Sequence, residues 1–126
     1  MLLQVAPEWT VELDRGPDWL FVRLRPPQGG DTGEILLAEM IWKHMEQAFC
    51  YRVVVELDDV RFLRSCMVGE LVRLHKRVTS QGGMMRLSGL NATGEEVLRI
   101  SRLSDRLPNY RNRTDAVMGY RPPQPR

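Results

Sequence analysis

Two neighbours, Ser65 and Cys66, are the side chains best placed to do chemistry, standing where a loop gives way to a helical pattern. A serine hydroxyl at a helix start accepts a hydrogen bond from an otherwise orphaned backbone N–H, which contributes about 1 kcal/mol. The same position puts the hydroxyl at the positive end of the helix dipole. There the roughly −1.5 to −2 charge of a phosphate is tolerated locally yet repels an acidic partner. Capping and phosphorylation therefore both stand as readings of Ser65. A thiol one residue inside a helix start, as at Cys66, gains reactivity as its pKa falls, although the plainer reading is a small packed or partly exposed side chain. No base is at hand for it: His75 lies nine residues further on, about 13.5 Å along a helix axis.

The remaining chemical residues point to structure. Asp58-Asp59 has no histidine or third carboxylate beside it and reads as a turn rather than an acid–base or metal pair. Cys50 and Cys66, with His44 and His75 at unrelated positions and no CxxC pair, form neither a disulfide framework nor a metal site, so both thiols are expected reduced. The sequence has no GxSxG elbow and no phosphate-cradling glycine loop with lysine. No enzyme, metal or cofactor is expected.

Composition sets the frame that must position these residues. With 126 residues, 43% apolar, 27% charged and 7% aromatic, the chain has the make-up of one soluble globular core. The domain is expected over 1–120, with 121–126, Arg-Pro-Pro-Gln-Pro-Arg, a disordered tail. No apolar run approaches the roughly 20 residues of a membrane span, and Met1–Val5 is too short for a secretory signal, so a cytoplasmic protein without membrane insertion is expected. Charge is uneven: residues 1–60 hold 5 Lys/Arg against 11 Asp/Glu, net −6, and residues 61–126 hold 13 against 5, net +8. The arginines of the basic half are scattered singly, without interleaved aromatics, which favours a solvated or protein-facing surface over a nucleic-acid footprint.

Periodicity then gives the elements. Trp9, Val11 and Leu13 alternate with Thr10, Glu12 and Asp14 as in a half-buried strand. The turn Arg15–Asp18 leads into Trp19–Leu24, closed by Pro26-Pro27, and the pair reads as a hairpin. Asp31 and Glu34 resemble a capping box for a helix over about 32–49, with Leu37, Met40, Ile41 and Ala48 on its apolar face. Arg52–Leu57 lacks alternation and suits a central strand buried on both faces. A second helix opens at Ser65, with Val68, Leu71, Val72, His75 and Val78 inward and Glu70, Arg73, Lys76 and Arg77 outward, and stops at Gln81-Gly82-Gly83. Met84–Ser88 is a further strand, and Thr93 with Glu96 makes a capping box for a third helix through Val97, Leu98 and Ile100. The order β-β-α-β-α-β-α implies an α/β domain with a mixed, mainly parallel sheet.

The stretch 53–117 resembles the STAS domain of bacterial anti-sigma factor antagonists. The resemblance runs through Val53–Val60, Phe62–Gly69, Leu71, Leu74–Arg77, Gly82-Gly83, Met85–Leu90, and Val97, Leu98, Ile100 and Leu103. It implies a STAS-like sheet of four to five strands with an N-terminal hairpin and three to four helices. By position it puts the family's phosphorylatable serine on Ser65, with Arg64, Cys66 and Met67 standing where the family has Asp, a second hydroxyl residue and Gly, while Gly69 is retained. The implied function is a transcription regulator that docks an anti-sigma factor or serine kinase through Arg61, Arg64, Cys66, Met67, Glu70 and Arg73 and is released when Ser65 is phosphorylated. The alternatives are an unphosphorylated STAS adaptor in a larger signalling or transport assembly and, more distantly, nucleic-acid binding by the basic half.

Overall fold

The computed structural model describes residues 2–6, 9–26 and 36–120. A six-stranded sheet runs β1 (Leu2–Ala6), β2 (Trp9–Arg15), β3 (Leu20–Arg25), β4 (Arg52–Glu56), β5 (Met84–Ser88), β6 (Asn109–Tyr110), in sequence order. β1, β2 and β3 are antiparallel neighbours; β3–β4, β4–β5 and β5–β6 are parallel. Each parallel step needs a crossover, and α1 (Leu37–Ala48), α2 (Ser65–Ser80) and α3 (Ala92–Ile100) supply the three. The final helix is α4 (Arg113–Met118). The expected mixed, mainly parallel sheet with its N-terminal hairpin and helices is the fold that forms, with six strands in place of the four to five expected. Its two edge strands, β1 and β6, and the short α4 come in addition to the β-β-α-β-α-β-α pattern. A two-residue strand and a helix of under two turns are too short to imprint a period.

The expected α1 start and its Asp31–Glu34 box lie outside the described residues, as does the tail 121–126. The described helix begins at Leu37 after Leu36, whose side chain makes no cap. α3 differs from expectation in its cap. Asn91 takes the position, its side chain accepting from Gly94 N at 2.8 Å, which leaves Thr93 as an exposed residue inside the helix. Asparagine caps at least as well as threonine, and starting two residues earlier adds half a turn.

The central strand is buried on both faces as its composition implies. Val53 and Val55 join the large core with Val11, Val22, Leu24, Ile41, Leu71, Leu74 and Leu98. Val54 points the other way, into a small cluster of Trp19, Phe21, Tyr110 and Ala116. Two arginines fasten α4 over that second face. The Arg86 guanidinium lies 5.3 Å from the Trp19 ring centre and 5.6 Å from that of Tyr110, and its Nη1 donates to the Ala116 carbonyl at 2.7 Å. Arg113 stacks 4.1 Å from the Phe21 ring centre, and its Nη2 and Nη1 donate at 2.6 Å to Glu56 and Asp14. The Glu56 hydrogen bond, above all, raises the pKa of Arg113, and hydrogen bonding from Arg113 lowers that of Asp14. Part of the charge asymmetry is therefore internal pairing, with carboxylates of the acidic half holding an arginine of the basic half.

Candidate functional site

β4 delivers the chain to the start of α2 through a loop pinned at three points. Leu57 N donates to the Ser88 carbonyl at 2.8 Å and Val60 N to the Leu57 carbonyl at 3.1 Å, so Asp58-Asp59 occupies a turn. Both carboxylates face Arg23 of β3, at 3.2 and 3.7 Å. The turn packs closely on Gly89, where a Cβ would stand 2.3 Å from the Asp58 carboxylate and where φ is +72°; glycine alone suits both conditions. The second pin is apolar: Val60 and Leu63 are buried, whereas Phe62 between them is 75% exposed. The third is Asn91, whose Nδ2 donates to the Arg61 carbonyl at 2.9 Å. One asparagine thus caps α3 and tethers the loop before α2.

Arg64 is the cap residue of α2, with extended dihedrals (φ −79°, ψ 158°) and no capping side chain. Its carbonyl accepts the first helical bond, from Val68 N at 3.0 Å. Ser65 is therefore the first residue inside the helix and not its cap, a correction to the sequence reading. A side chain at that position no longer reaches back over the first N–H groups. Its hydroxyl is left exposed at the positive end of a helix of 16 residues.

Arg61, Arg64, Cys66 and Arg73 are exposed around Ser65. The other two expected contact residues are not. Met67 is 1% exposed and packs in the core. Glu70, expected outward, is 8% exposed. Its Oε1 accepts from Ala38 N at 3.2 Å, and Arg73 lies 3.5 Å from Oε2. A carboxylate buried at a helix N-terminus answers both its unpaired N–H and its dipole, so Glu70 serves α1. No signal in the sequence places it there, because its partner comes from another helix.

The groups that could react stay apart. Cys66 is exposed, while Cys50 is buried with its Sγ 3.5 Å from the carbonyls of Asp18 and Arg52; both are free thiols. His75 is half-buried on the flank of α2, its pKa held below the usual value by burial and then by Arg106. Among the described residues no group of three His, Cys, Asp or Glu side chains is arranged to hold a metal ion. No described helix is long and apolar enough to cross a membrane. What the arrangement offers is a surface: an exposed hydroxyl, a protruding phenylalanine and a set of arginines at one helix start.

The sequence profile of the STAS domain matches residues 33–116, more than half of the chain. The protein belongs to the STAS-domain family. Among curated relatives, the anti-sigma F factor antagonist of Paenibacillus polymyxa is 23% identical over 107 residues, covering 85% of this chain and 91% of that protein. The crystal structure of an anti-sigma factor antagonist from Mycobacterium paratuberculosis superposes with a TM-score of 0.71 at 17% identity, covering 92% of this chain and 97% of that one. The Bacillus cell fate determinant SpoIIAA in its phosphorylated form gives 0.62 at 16% identity, covering 88% and 99%. Those two likenesses establish the STAS fold. The family match also agrees with the loop geometry, since the turn after β4 and the opening of α2 lie inside the matched span.

Proposed function

We propose that this STAS domain is an antagonist of an anti-sigma factor. It docks a serine-kinase-type anti-sigma factor through residues 61–64 and the exposed start of α2, and is released when Ser65 is phosphorylated. It is a transcription regulator of the cytoplasm and performs no catalytic step of its own. The observation that carries the reading is the exposure of Ser65 at the first position of α2, where its hydroxyl has no capping duty. The relative named an anti-sigma F factor antagonist supports the partner class, and the phosphorylated form of SpoIIAA supports the kind of switch. A phosphate there brings roughly −1.5 to −2 charge to a surface otherwise furnished by Arg61, Arg64 and Arg73, and so cancels about half or more of the positive charge that a partner meets.

The test is calorimetry of the native chain, Ser65→Ala and Ser65→Asp against the purified anti-sigma factors of the source organism, together with mass spectrometry after incubation with ATP. The native chain and Ser65→Ala should bind alike, Ser65→Asp should bind at least about tenfold more weakly, and the phosphate should map to Ser65. Equal affinities for all three would remove the switch and leave a constitutive STAS adaptor.

A further inference from the structure

α2 contains a residue that the described part of the fold does not explain. Gly69 sits inside the helix one turn after Ser65, and a Cβ built on it would meet nothing within 4 Å. Glycine is the poorest helix former after proline. Positions that demand it are those with a positive φ or a close approach to the backbone, and here neither is supplied by the described residues. The space over Gly69 leaves room for the close approach of another chain.

Gly69 also lies at the centre of a definite line. At about 100° per residue, Ser65, Gly69, Arg73 and Lys76 fall within about 80° of one another and span about 16 Å of helix, and all four are exposed. α2 has one carboxylate, Glu70; its Oε1 is turned inward onto Ala38 N of α1 and its Oε2 lies 3.5 Å from Arg73, whose side chain is still 76% exposed, and Lys76 and Arg77 are exposed beyond it. Arg61 precedes the helix and is exposed, and Phe62 stands out beside it. The line is positive, with an apolar rim and a gap one side chain deep.

We propose that this line seats a segment of an acidic protein, its backbone lying against Gly69 and its carboxylates meeting Arg73 and Lys76. This rests on the reading of the α2 start as the docking site and adds the partner's charge and its point of closest contact. A protein fits better than a nucleic acid: the cations stand apart rather than in a run, Phe62 offers apolar area, and a phosphate backbone has no use for the gap at Gly69. The switch follows from the same line. A phosphate on Ser65 stands one turn from Gly69 and opposes an acidic segment by charge.

The test uses the full chain and the anti-sigma factors of the source organism, purified and titrated one by one at about 0.05 M and about 0.5 M salt. Gly69→Ala should raise the Tm, since alanine favours the helix, and yet weaken binding at least about tenfold. The paired reversal Arg73→Glu with Lys76→Glu should weaken it further at low salt, and the native affinity should fall as salt rises. Unchanged binding by Gly69→Ala, or undiminished binding by the double reversal, overturns the acidic-segment inference. If Ser65→Asp still loses the factor in that case, the docking reading survives. If no factor binds the native chain, both fall. Binding instead to an about 20-base-pair DNA duplex, lost on the double reversal, overturns the inference in favour of nucleic acid.

Discussion

The four described helices begin in two different ways. α3 and α4 open on asparagines whose side chains accept from the N–H three residues on, at 2.8 Å from Gly94 and 2.9 Å from Asp115. α1 receives at Ala38 N the carboxylate of Glu70, sent from α2. α2 opens on Arg64, whose side chain makes no cap, with Ser65 exposed behind it. Three starts are closed by groups that stabilise the fold, and the fourth is the one we propose as a docking surface. The contrast separates two ways of holding a helix: α2 is held by burying Met67, Leu71, Leu74 and Val78, and its opening turn keeps Ser65 and Cys66 exposed.

Substitutions at four positions break or sharpen that contrast. The largest effect belongs to packing. Leu98 is 2% exposed, and Leu98→Ala should cost about 2–5 kcal/mol in denaturant unfolding; a loss below that of a cap would mean that α3 is held by its start and not by its face. Next, Glu70→Ala strands the first turn of α1 and should cost about 1–3 kcal/mol. Glu70→Gln, which keeps an acceptor, should cost less by the same assay. Third, Asn91→Ala should cost about 1 kcal/mol. Asn91→Asp keeps the cap while removing the donor to the Arg61 carbonyl, so it should retain stability but speed amide exchange in residues 61–64. Smallest, Ser65→Ala should change stability by less than about 0.5 kcal/mol, since this hydroxyl is not the cap. A loss near that of Asn91→Ala in parallel melts would place Ser65 among the structural starts and dissolve the contrast.

A good deal of the fold was legible. The alternation of Trp9, Val11 and Leu13, the unbroken Val53-Val54-Val55, the strand Met84–Ser88 and the stop at Gly82-Gly83 all appear where their periods and breakers place them. The site was legible in part. The turn at Asp58-Asp59 and the exposure of Arg61, Arg64, Cys66 and Arg73 follow from local pattern. Glu70 and Met67 do not. A helical wheel puts Glu70 near the border between faces, and only the docking of α1 turns that border inward. Nor does the apolar pair Phe62-Leu63 say which of the two protrudes, since that depends on how the loop packs.

By itself the sequence determined the order and kind of the long elements, because strand and helix periods and glycine breaks act over neighbouring residues and need no partner. It also determined that the second half is basic. Tertiary structure alone decided what those charges do. Arg113 is spent on Glu56 and Asp14 across the sheet, Glu70 on the start of α1, and Asn91 on both its own helix and the loop before α2. Such choices join residues tens of positions apart, and a polar group's partner is settled only when the elements dock and its burial makes an unpaired bond costly. That docking also left Ser65, Gly69, Arg73 and Lys76 facing outward together.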